Sequence, residues 1–147
     1  MLSVIIDAGE APRGLALLLA QLTGGAVDGL VREVFIAGPV EPALLDALCD
    51  ETGAEPAATV AAAVGRAKSQ MLLVLPAELR LRDGWIRQIG DHLARGGTGG
   101  VVVGLGGGLL RRGPLGVLVE RGRAASVGGA DLQRLRRALG LRPQRLG

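Results

Sequence analysis

A chain of 147 residues, 48% apolar and 21% charged, with a net charge of +3, has the make-up of one globular domain. Its one cysteine, Cys49, excludes an internal disulfide and a cysteine-built zinc site. The apolar runs fall short of the ~18–20 residues that cross a bilayer, and no basic leader precedes the first apolar run, so the expected location is the cytoplasm.

Phe35 and Trp85 are the only aromatic residues, so the core must be built from Leu, Val, Ile and Ala. Charge is divided along the chain. Residues 1–64 hold nine acids and two arginines, a net of −7, and residues 65–147 hold fifteen bases and five acids, a net of +10. Such polarity suits head-to-tail homo-oligomers joining acidic and basic halves, peripheral contact with an anionic membrane, a phosphate-rich partner, or a solvated arginine-rich surface. Nucleic acid is disfavoured, because no aromatic residue accompanies the arginines to stack on bases.

Leu2–Ile6 is a short, continuous apolar run rich in β-branched residues, which predicts a buried strand. Pro12 then suits a first helical position, and Leu15, Leu18, Leu19 and Leu22 fall on one helical face that Gly24-Gly25 closes. Val31–Ala37 reads as a second strand stopped by Gly38-Pro39. Pro42 opens a helix with Leu44, Leu45 and Leu48 on one side, ending near Gly53; Cys49 lies beside that side as a small core residue. An alanine-rich segment from Pro56 to about Ser69 is expected to be helical. Met71–Leu75 is a third strand. Residues 84–95 form a helix with Trp85, Ile86, Ile89 and Leu93 inward, Trp85 anchoring it and His92 expected at the surface or helix end. Val101–Leu105 and Leu115–Val119 are further strands. Asp131 suits an N-cap for Leu132–Leu139, whose flanking Arg134, Arg136 and Arg137 suit an anionic surface. Gly104–Gly108 follows a strand but lacks the third glycine of a dinucleotide loop, Leu109 standing there, so a glycine-rich hairpin is expected.

This alternation predicts an α/β fold, a mainly parallel open sheet with helices on both faces. Ligands of such sheets bind beyond the carboxyl ends of the strands.

The order of pieces carries a resemblance. Ser3-Val4-Ile5-Ile6, Glu10, a leucine-faced helix and Arg32-Glu33-Val34-Phe35-Ile36 come first. A small-residue helix, Leu72-Leu73-Val74-Leu75, a turn, a Gly84-Trp85 helix and Ser126-Val127-Gly128-Gly129 follow. Together these resemble family 2 glycosyltransferases of GT-A fold. The resemblance implies one domain over residues 1–147: a nucleotide-binding-like half, about 1–95, and a glycine- and arginine-rich remainder, about 96–147. It implies transfer of a sugar from a nucleotide-diphosphate sugar. Asp7, Glu10, Gly38 and Pro76 fall at the nucleotide-binding positions, Glu78 at the carboxylate that holds Mg or Mn, and Asp131 at the catalytic base.

The sequence departs from that pattern at the positions that carry chemistry. Asp7 stands where the family has proline, and Gly9-Glu10 where it has an Asn-Glu-like pair. Gly38, or Ala37 in a register shifted by one, replaces the aspartate that binds the base. Pro76 replaces an acid of the metal-binding turn. These departures imply reduced or lost activity; the alternative is a non-catalytic binding or assembly module of the same fold.

Overall fold

A computed structural model describes residues 1–9, 13–105, 114–127, 132–138 and 145–146. Among the described residues seven strands form one sheet: β1 (Leu2–Asp7), β2 (Val31–Ala37), β3 (Glu55–Ala57), β4 (Met71–Pro76), β5 (Gly99–Val103), β6 (Leu115–Glu120) and β7 (Arg145–Leu146). Their order across the sheet is β3-β2-β1-β4-β6-β5-β7. β1 pairs in parallel with β2 and β4, and β2 with β3, while β6 runs antiparallel between β4 and β5. The predicted α/β class, mainly parallel with helices on both faces, is what the chain adopts.

β1 is fully buried from Leu2 to Ile6. That is why it reads as an unbroken apolar run: side chains on both faces meet helices. Val4 and Ile6 face a layer that includes α1 (Leu15–Val27) and α4 (Trp85–Ala94), through Leu15, Leu18, Leu22, Trp85 and Ile89. Ile5, with Phe35, Leu72 and Val74, faces α3 (Val60–Arg66), α5 (Arg121–Ser126) and α6 (Leu132–Ala138). Leu135 of α6 is fully buried there, as expected of its apolar face.

Local chemistry sets the helix ends. Glu41 caps α2 (Pro42–Thr52) by accepting hydrogen bonds from the Ala43 and Leu44 N–H groups, at 3.1 and 2.9 Å, with Pro42 at the first turn. On α2, Leu48 is buried and Leu44 exposed, while Cys49 is partly buried against the core. Burial raises the Cys49 thiol pKa above its ordinary value, and the carboxylates of Asp46 and Asp50 add to the rise.

Four expectations change. α1 continues through Gly24-Gly25, because a Cβ at Gly25 would come within 2.6 Å of the Trp85 ring, and the bare backbone lets α4 close on α1. Residues 55–57 are a strand and not the start of a helix. Tertiary pairing with Phe35–Ala37 overrides alanine propensity there, and the helix starts one turn later, where the Thr59 hydroxyl accepts from Ala62 N–H at 3.1 Å. Residues 121–126 form a short helix that no periodicity announced. His92 stands in the last turn of α4, at the helix end as expected, but is buried with Trp85 and Ile89 and not at the surface; its Nε2 lies 3.0 Å from the Gly99 carbonyl oxygen.

Among the described residues no helix is long and apolar enough to cross a membrane.

Candidate nucleotide site at the carboxyl edge of the sheet

The register of the three central parallel strands brings the predicted residues together. Asp7 is the Cα partner of Ala37 on one side and of Pro76 on the other. The last residues of β1, β2 and β4 therefore stand in one row, with Gly38 one step beyond Ala37. Asp7 and Pro76 are partly buried. Glu10 and Asp131 lie outside the described residues, as does the Gly106–Gly108 stretch of the expected hairpin.

Gly38 has a reason to be glycine. Its φ of 121° lies where a Cβ is strained, and a Cβ there would approach the Gly9 nitrogen to 3.3 Å. The loops after β1 and β2 thus run backbone to backbone, joined also by Ala8 N–H donating to the Ala37 carbonyl at 2.9 Å. An aspartate at Gly38 would not fit this approach without a shift.

The turn after β4 is tight. Leu79 N–H donates to the Pro76 carbonyl at 3.1 Å, closing residues 76–79. Ala77 and Leu79 are buried and Glu78 points to solvent. Arg80 then folds back. Its Nη1 donates to the Leu79 carbonyl at 2.8 Å and to the Ala77 carbonyl at 3.3 Å. Its Nη2 lies against Gly14, the N-cap of α1, where a Cβ would sit 1.5 Å from that nitrogen. The Arg80 carbonyl accepts from Leu105 N–H at 2.7 Å, tying in the loop after β5. Arg80 therefore joins the turn after β4, the start of α1 and the loop after β5. Sequence reading passed over it; the available signal was a cation set between the two buried leucines, Leu79 and Leu81.

Other candidates lie elsewhere. β6 is antiparallel, so Glu120 pairs with Met71 at the opposite, amino edge. His92 is engaged with Gly99 at the start of β5. A cleft of about 390 Å³ at the start of α4, lined by Gln21, Asp28, Arg82, Asp83 and Arg87 among others, shares no residue with the Asp7, Gly38 and Pro76 row.

The turn does not fit a divalent-metal centre made by this chain's own side chains. Of Pro76, Ala77 and Glu78 only Glu78 carries an oxygen ligand, whereas such cations require about six oxygens. Among the described residues no three His, Cys, Asp or Glu side chains are grouped to hold an ion.

No protein-family model matches the sequence, and no curated protein matches it. Solved structures do. A crystal structure of 4-diphosphocytidyl-2C-methyl-D-erythritol synthase superposes with a TM-score of 0.67 at 14% identity, over 98% of this chain and 86% of that one. Mannosyl-3-phosphoglycerate synthase from Rubrobacter xylanophilus gives 0.58 at 12% identity, over 84% of this chain. Glucosyl-3-phosphoglycerate synthase from Mycobacterium tuberculosis, solved with Mn2+, uridine diphosphate and phosphoglyceric acid, gives 0.57 at 13%, over 84% of this chain. The chain spans 55% and 57% of those last two proteins. The fold is GT-A-like, as the sequence resemblance implied.

Proposed function

We propose that this chain is a glycosyltransferase-like domain that binds a nucleotide-diphosphate sugar at the carboxyl edge of β1, β2 and β4. The observation that carries the reading is the row formed by Asp7, Ala37 and Pro76 on three adjacent parallel strands, with Gly38 one step beyond, at the edge where sheets of this kind take ligands. A structural neighbour was solved with uridine diphosphate and Mn2+, which supports the ligand class. In this reading Asp7 and Glu10 line the nucleoside side, with Gly38 beside them at the close approach of the two loops. Glu78 is the one carboxylate of the turn available to a cation, Mg or Mn, and Asp131 is the candidate base. Transfer is slow or lost, since Pro76 and Ala77 supply no ligand.

A second reading, a non-catalytic binding or assembly module, is favoured by those same two residues. Calorimetry with a panel of nucleotide-diphosphate sugars, with and without manganese, tests the shared claim of binding. A dissociation constant below about 1 mM that weakens on Asp7→Ala supports it; no heat at millimolar ligand refutes it. Release of sugar from a bound donor separates the enzyme from the module.

A further inference from the structure

The guanidinium of Arg80 lies over the turn after β4, held on the Ala77 and Leu79 carbonyls. Nucleoside diphosphates carry about three negative charges at neutral pH, and a site that holds them must supply positive charge or amide donors. The turn offers Glu78, which is negative and exposed, and Arg80, which is positive and partly buried.

Three features fix Arg80 as an anion holder. Among the described residues its hydrogen bonds both use Nη1 and both go to backbone carbonyls, of Ala77 and Leu79, which orient the planar fork and leave its charge intact. Among the described residues no carboxylate lies within ion-pair distance of it. It rests on Gly14 at the first turn of the thirteen-residue α1, whose end carries partial positive charge and no side-chain cap. Two positive features in contact repel each other, and an anion beside both offsets the repulsion.

We infer that Arg80 supplies the charge that binds the diphosphate, so that nucleoside diphosphate binding by this chain does not depend on a divalent metal. This rests on the ligand class proposed above. An arginine fork meets phosphate oxygens bidentately, which a point charge does not.

The test uses the whole chain with two probes, UDP and uridine, with manganese or with EDTA, and reads affinities by NMR titration. UDP binding in EDTA is expected to stay within about twofold of that in manganese. Arg80→Gln is expected to cut UDP affinity about tenfold or more while uridine binding is unchanged, because the lost contacts are charge-assisted and go to phosphate. Loss of a purely structural role would weaken both probes alike. Arg80→Lys, which keeps the charge and loses the fork, serves as the second variant should Arg80→Gln unfold, and is expected to retain part of the UDP preference.

UDP binding that requires manganese, disappears on Glu78→Gln and keeps its preference over uridine in Arg80→Gln would overturn the inference while leaving the ligand class standing. Failure of both probes to bind at millimolar concentration under either condition would overturn both.

Discussion

Glu33 offers the sharpest test of what holds the amino edge of the sheet. Its Oε2 accepts from the Ser3 hydroxyl at 2.5 Å and from the Lys68 N–H at 2.7 Å. The Ser3 oxygen in turn accepts from Ser69 N–H at 3.1 Å. One carboxylate therefore joins β1, β2 and the segment entering β4. Glu33→Ala removes both bonds, but their losses differ. The Lys68 amide is exposed and water replaces the carboxylate there. Ser3 is fully buried, and its hydroxyl proton is left without a partner, a penalty of about 1–3 kcal/mol. The expected total is about 2 kcal/mol, which for a domain of this size lowers the melting temperature by about 4–8 °C. Glu33→Gln, which keeps an acceptor and loses the charge, is expected to cost about half as much. Ser3→Ala removes donor and acceptor together, so the Ser3/Glu33 double-mutant cycle should show a coupling of about 1 kcal/mol or more. Urea unfolding at neutral pH and constant salt measures all four. A Glu33→Ala variant within about 0.3 kcal/mol of the parent would show the carboxylate to be a solvated surface group and refute the reasoning.

The Cys49 thiol titrates above its ordinary value, so alkylation by iodoacetamide at pH 7–8 should be several-fold slower than for a free cysteine and accelerate on unfolding. Because the folded state holds the proton more tightly, this contribution to stability is complete below the unfolded thiol pKa and is lost as pH rises through the folded one; Cys49→Ala should remove that alkaline dependence in melts between pH 7 and 10. The exposed acids of α2, Glu41, Asp46, Asp50 and Glu51, and the exposed Arg136 and Arg137 of α6 lie on separate elements. Association between copies through these charges would raise the light-scattering mass at low ionic strength and reverse at ~0.5 M salt, where the screening length is only a few ångströms; a mass independent of salt would exclude it.

Much of the scaffold was legible because its physics is local. β1 and β4 are buried on both faces and so are written as apolar runs, as is the Phe35–Ala37 end of β2. Proline at the opening of α2 and glycine at its close follow from backbone chemistry alone. What failed depended on distant partners. Glu55–Ala57 is a strand because it pairs with Phe35–Ala37 and because Arg66 donates to the Pro56 carbonyl at 2.7 Å while lying over the Phe35 ring; nothing in an alanine-rich window announces that. Gly24-Gly25 reads as a helix stop until Trp85, sixty positions on, is known to need the space. His92 was a correctable miss. It stands seven residues after Trp85 and three after Ile89, the spacing of one helical face, and its polar ring diverted the reading from that geometry. At the site, the strand ends that align Asp7, Gly38 and Pro76 were inferable, whereas the contact of Arg80 with Gly14, sixty-six positions apart, was not.

Pro76 links the two halves of this account. A proline within a central strand would remove a ladder hydrogen bond, and it is tolerated here at the last residue, where pairing stops. The turn that follows is closed by a bond from Leu79 N–H to the proline's own carbonyl. That turn directs Glu78 outward and returns Arg80 over the Ala77 and Leu79 carbonyls toward α1. An acid at residue 76 would offer a metal ligand, and it would place a negative charge one strand from Asp7, adding repulsion that a cation relieves. With proline, Asp7 remains the acid at the end of this three-strand row, and in the inference drawn above Arg80 supplies the positive charge. One turn thus lacks a metal ligand at residue 76 and returns a guanidinium over its own Ala77 and Leu79 carbonyls.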